Sequence, residues 1–189
     1  FGAMRAASAS YTALPLWQWL SQPRLADRHP LYALLYGFVA PQERASAVEQ
    51  RLLGASARES LATASAGMAA LMEMQGDKGL AWLTRHYLQD NTRSDTEVQA
   101  ALLAVRVHAA DGAKVSKPAA TQALRAFVLS NPQRAGFAAS DLGDWGQWNF
   151  IEDFERLLDT DTPQVFASRY AMVLYLLRNL TALPSPSDA

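Results

Sequence analysis

Apolar residues along this chain recur every three or four positions and never alternate over a run long enough for a strand, so the pattern predicts helices throughout. A short helix over residues 14–21 carries Trp17 and Trp19 and is closed by Pro23. A polar link over 24–30 follows, then a run over 31–39 that is apolar at nearly every position, placing that helix in the core or under a partner. Pro41 opens a helix with Ala45, Val48 and Leu52 on one side, ended by Gly54. Ser56 and Glu59 form a capping-box pair for a helix through Leu61, Met68, Leu71 and Met72 that stops at Gly76. Residues 77–89 place Leu80, Leu83 and Tyr87 together. Ser94 and Glu97 repeat the capping pair before Val98, Leu102 and Val105, and Asp111-Gly112 ends that helix. Ser116 caps a helix bearing Ala120, Leu124, Phe127 and Val128, broken at Asn131-Pro132.

The segment 141–180 says most about architecture. A helical turn over 134–139 leads into a tight turn holding Trp145 and Trp148. Then comes an amphipathic helix with Phe150, Ile151, Phe154, Leu157 and Leu158. Pro163 opens a last helix on which Phe166, Tyr170, Val173, Leu177 and Leu180 make one seam. Two antiparallel helices of this kind need neighbours to bury their inner faces. The pairs 56–89, 94–130 and 134–180 have the length of helical-repeat units. The expectation is therefore an all-α fold, an α–α superhelix of about nine or ten helices, in one domain over 13–182. Residues 1–12, which begin Phe1-Gly2-Ala3-Met4, read as a tag remnant and a flexible start, and 183–189 as a flexible tail.

Composition narrows the function. Half of the 189 residues are hydrophobic, enough for a sizeable core, and 17 basic residues nearly cancel 18 acidic ones. That balance provides no global field for nucleic acid or an anionic membrane. The absence of cysteine removes disulfides, thiolate zinc sites and cysteine nucleophiles. The longest apolar run, 31–40, is about half of a membrane span. The compartment is left open between cytoplasm and periplasm, since a targeting segment upstream is compatible with this sequence.

Three places, Arg28-His29-Pro30-Leu31-Tyr32-Ala33-Leu34-Leu35, the helix pair 97–129 and the Asp141-Leu142 to Trp145 and Trp148 turn with the two helices after it, resemble a degenerate HEAT-type α-solenoid. The chain is similar over 25–180 to a loose group of bacterial helical-repeat proteins of unknown function. The resemblance implies a curved stack of helices and a binding role, and brings no catalytic residues.

Each candidate for chemistry has a simpler structural account. Asp159-Thr160-Asp161-Thr162 matches a phosphoryl-transfer DxDxT motif, which needs a strand before its first Asp. The helical stretch before Asp159 favours an inter-helix loop instead. Glu152, Glu155 and Asp159 share a helix face that reads as a solvated side. His29, His86 and His108 have no ligand spacing and read as partly buried structural residues. Gly76-Asp77-Lys78-Gly79 is too short for a phosphate loop. Arg169 is expected to pin the tryptophan turn through Asp141 or Asp144.

No cofactor, metal or catalytic set is expected. The sequence points to a non-enzymatic scaffold that binds a protein partner, with Trp145, Trp148, Arg169 and Trp17 as the candidate surface. A homodimer through helix 31–39 stays open. The alternatives are a small-molecule or peptide pocket near Tyr32, Tyr36, Trp82 and Tyr87 and a hydrolase using Asp159 and Asp161.

Overall fold

The structure, a computed structural model, describes residues 11–54, 59–109, 114–160 and 164–182, together with Ala3 and Ala6. Most of the expected flexible start, all of the tail 183–189, the Asp111-Gly112 stop and Pro163 lie outside the described residues. Among the described residues the regular structure is helical, with ten α-helices, short 3₁₀ and π turns between them, and no strand. The all-α class follows from the three-to-four spacing of apolar residues. Two compact units are present, Phe1–Ala123 and Leu124–Ala189. Their boundary falls within one helix.

The first unit contains α1 (Ala13–Trp19), α2 (His29–Val39), α3 (Ala45–Gly54), α4 (Leu61–Gln75), α5 (Asp77–Leu83), α6 (Asp95–His108) and the first half of α7 (Lys117–Ser130). Helix α4 is its centre and packs against α2, α3, α5 and α6. Its sequence explains that position. Ala66, Ala69 and Ala70 on one side and Met68, Leu71, Met72 and Met74 on others are all buried, as expected of a helix with neighbours all round. Small residues let α2 come close. A Cβ on Gly37 would lie 2.6 Å from the Cα of Ala70, so glycine alone fits this crossing. Alternate-helix packing, with α4 between α2 and α6, is the arrangement of an α–α stack.

Local signals fix the ends. Ser60, extended at φ −64° and ψ 147°, caps α4 by accepting the Thr63 amide at 3.2 Å. The cap is thus Ser60; Ser56 lies outside the described residues, and Glu59 reaches Arg51 at 3.4 Å instead of closing a capping box. The second box forms as expected. Ser94 accepts from the Glu97 amide, and the Glu97 carboxylate takes the Ser94 amide at 2.9 Å. Ser116 caps α7 by accepting the Ala119 amide at 3.3 Å, and its own amide donates to Asp77 at 3.1 Å. The polar link over 24–30 is instead a 3₁₀ helix, Pro23–Arg28, running into α2. Pro23 and Pro30 sit in first turns, where the missing N–H costs nothing.

The second unit holds the rest of α7, a 3₁₀ turn (Ala135–Ala138), α8 (Ala139–Asp144), α9 (Ile151–Leu158) and α10 (Phe166–Ala182). Its centre is α10, which packs on the 3₁₀ turn, α8 and α9. Phe127, Leu142, Phe150, Phe154, Met172 and Tyr175 are fully buried or nearly so. The Tyr175 ring meets Phe154 edge-on at 4.9 Å and Trp148 at 5.1 Å. Residues 141–144, expected to be part of the tryptophan turn, are helical and close α8. Trp145 follows as its C-cap. Among the described residues no helix is long and apolar enough to cross a membrane.

Candidate functional site

Helix α10 has two faces of opposite character. Ser168, Met172 and Tyr175 point into the second unit with 0–2 % exposure. The seam named from the sequence points the other way. Phe166 is 83 % exposed, Tyr170 57 %, Val173 39 %, Leu177 52 % and Leu180 66 %, with Leu174 beside them at 42 %. Phe166 and Tyr170 lie nearly parallel on the surface, their rings 6.4 Å apart at 12°. At about 150–250 Å² for a large side chain, the stripe leaves roughly 600 Å² of apolar surface open. That is the upper end of the patch size of ordinary monomers, where such patches mark interaction sites.

The orientation is built in. The inner face carries small Ser168 opposite Gly136, where the chain crosses closely, and Tyr175, whose hydroxyl donates to the Gln147 carbonyl. Those two contacts leave the side with the most large aliphatic residues outside. The seam is visible in the sequence, but its direction is not. The signal available was its spacing, strictly four and three, which suits a narrow helix–helix seam rather than a broad core face.

Of the candidate surface residues, Trp145, Trp148 and Trp17 are each half-buried, and Arg169 is exposed. Trp148 leans on Tyr175 beneath the seam. Arg169 flanks the seam and donates to the Leu158 carbonyl at 3.5 Å. The ion pair that ties α10 to the end of α8 is made by Arg178, at 2.8 Å from Asp144. The reason is register: Asp144 is the last residue of α8 and comes alongside the late part of α10 rather than its first turn.

The first unit holds a cleft of a different kind. Trp17 and Tyr36, with ring centres 5.0 Å apart, line two adjoining hollows. One, of about 480 Å³, is completed by Ala13, Leu14, Pro41 and Arg44. Tyr36 is 3 % exposed. Burial raises its pKa against the pull of Arg44. Of the four residues expected to line one pocket, Trp82 and Tyr87 pack together with ring centres 6.0 Å apart, while Tyr36 packs on Trp17 and Tyr32 on Trp19, the latter at 5.1 Å. Trp82 also stacks with His86 at 4.6 Å. Tyr87, raised in pKa by burial, donates to the Leu52 carbonyl at 2.9 Å.

The remaining candidates fall to structural roles. Asp159 ends helix α9, so the residues before it are not a strand, and Asp161 and Thr162 lie outside the described residues. Glu152 and Glu155 are exposed. His29 meets the Gln22 carbonyl at 3.1 Å. His108, fully buried, stands 3.7 Å from a Glu73 oxygen, with Lys114 3.6 Å from the other. Among the described residues no three His, Asp or Glu side chains stand close enough to hold a metal ion. No protein-family model matches the chain, and neither a curated protein nor a solved structure matches it.

Proposed function

We propose that this chain is a non-enzymatic, HEAT-like helical interaction module whose docking surface is the outer face of α10. One observation carries the reading: six large apolar residues on one helix stand open to solvent while its other face is buried. Leaving that much apolar surface in water is unfavourable by about 25 cal/mol per Å², which a docked helix recovers. The placing of α4 between α2 and α6 supports the superhelical part of the reading. Arg169, at the edge of the seam, belongs to this surface as a rim residue. Trp148 serves it from beneath, through Tyr175.

The experiment is site-specific photo-crosslinking in cells of the source organism, with a benzophenone amino acid at Leu177 and, as control, at exposed Arg156. A discrete protein adduct from 177 and none from 156 is expected. Adducts equal at both positions, or absent at 177, would overturn the reading.

A second reading, a small-molecule pocket, is favoured by the Trp17–Tyr36 cleft, which Tyr36 and Arg44 line together with Ala13, Leu14 and Pro41. These groups suit an apolar body with one carboxylate. Thermal-shift titration with aromatic and aliphatic carboxylates decides it. A rise in Tm for the wild type that Arg44→Ala abolishes supports the pocket, and no rise with any of them removes it.

A further inference from the structure

We infer that the outer face of α10 pairs with the same face of a second copy of this chain, antiparallel, about a two-fold axis at Val173. This names the partner for the interaction surface and rests on that reading.

Period is the first argument. Phe166, Tyr170, Val173, Leu177 and Leu180 are separated by four, three, four and three residues, the a/d repeat of helices that pack knobs into holes. Leu174 adds a flanking position. A helix that merely lies on a flat or looped surface needs no such repeat. The seam is about 21 Å long at the helical rise of ~1.5 Å per residue, so a partner helix of similar length covers it.

Charge and shape choose a second copy. The seam carries no charged residue that would select an oppositely charged partner. Its margins carry Arg169 and Arg178, and Arg178 is held by Asp144 at 2.8 Å. Parallel pairing would bring the two Arg169 side chains level. Antiparallel pairing sets them about 12 Å apart along the axis. It also puts the small Val173 against its copy and matches Phe166 at one end with Leu180 at the other. A two-fold contact of this kind is self-complementary and closes on itself.

Area agrees. Roughly 600 Å² from each copy amounts to about 1,200 Å² in all, the lower end of stable specific interfaces. A loop or short peptide would leave much of the seam in water.

The test is sedimentation equilibrium of the full chain. The wild type is expected at about 41 kDa, twice its 20.6 kDa. Leu177→Glu is expected at the monomer mass with unchanged far-UV circular dichroism and self-association weaker by at least tenfold, since each substitution enters the interface twice. Leu177 is half exposed, and should Leu177→Glu unfold, Tyr170→Glu is read in its place. Geometry is read independently by oxidative cross-linking, because the chain has no cysteine of its own. Val173→Cys should link copies, while Phe166→Cys should not. A wild type that stays monomeric at high micromolar concentration overturns the proposal. Cross-linking at Phe166 without Val173 overturns the antiparallel pairing. If the wild type is monomeric yet the Leu177 photo-adduct contains a different protein, the interaction module stands and only the second copy is lost.

Discussion

The amide of Gly136 donates to the hydroxyl of Ser168 at 2.9 Å where two backbones nearly touch, and this contact sets which way α10 faces. A Cβ on Gly136 would stand 1.8 Å from the Ser168 carbonyl oxygen, far inside contact distance, and that oxygen is backbone and cannot swing aside. Gly136→Ala must push α10 off the 3₁₀ turn, at an expected cost of roughly 3 kcal/mol. Ser168→Ala keeps the space but leaves a buried amide unpaired, at about 1–3 kcal/mol. Thermal melts of both variants check the order. A Gly136→Ala protein as stable as wild type would mean that the crossing is looser than it stands here.

Tyr175 joins the turn to the core beneath the seam. Its hydroxyl donates to the Gln147 carbonyl, and its ring supports Trp148. Tyr175→Phe should cost about 1 kcal/mol and move tryptophan emission to the red as the turn loosens. Trp148→Ala should cost more, about 2 kcal/mol, as half-buried aromatic area is lost. Loss of stability in Trp148→Ala identifies this tryptophan as a support of the fold. An unchanged melt would return it to the contact surface.

Glu73 lies 3 % exposed inside the first unit between His108 at 3.7 Å and Lys114 at 3.6 Å. Glu73 and His108 are buried while Lys114 is half exposed, so removing Glu73 takes a polar partner away from a buried imidazole. Glu73→Ala is expected to lower stability by about 1–3 kcal/mol, measured by urea unfolding. An effect under about 1 kcal/mol would show the cluster to be incidental.

How much of this was legible depends on what each residue answers to. The helices of the first unit were readable because their apolar positions all serve burial. Val98, Leu102 and Val105 go inside, and so do Leu80, Leu83 and Tyr87. The Ser94–Glu97 box was readable because it is purely local. The start of α4 was misplaced because Ser56 and Ser60 are equally good caps in sequence, and only the backbone at 60 selects one. The direction of α10 was hidden because hydrophobicity marks a surface to be covered without saying by what. Ser168, polar and wholly buried, was the residue that carried the answer, and its role exists only beside Gly136, 32 positions away. The Arg178–Asp144 pair was likewise invisible because it depends on where α8 stops. The Trp17–Tyr36 cleft was half legible: Tyr36 was named, but its neighbours come from packing of α1 on α2.

The start of α6 supplies a pH dependence with a definite sign. Burial pushes the Glu97 carboxyl pKa up, but the Ser94 amide and hydroxyl at 2.9 and 2.8 Å and Arg93 at 3.0 Å outweigh it, leaving it below the ordinary glutamate value. Asp90 is lowered too, first by the Thr92 hydroxyl and amide. Because both folded pKa values lie under the unfolded ones, the ionised carboxylates stabilise the fold above about pH 4. That contribution disappears as pH falls through the folded values. Glu97 is partly exposed, so its share is about 1 kcal/mol or less. Glu97→Gln should therefore melt below wild type at neutral pH, and the two curves should converge toward about pH 3 as the wild-type carboxylate takes up its proton. Arg93 gives an internal control, since it also bonds the His86 carbonyl at 2.9 Å and lies 4.4 Å over the Tyr87 ring. Arg93→Ala should lower the melt at both ends of the range. Glu97→Gln and wild-type curves that stay parallel down to about pH 3 would assign the acid sensitivity to other carboxylates.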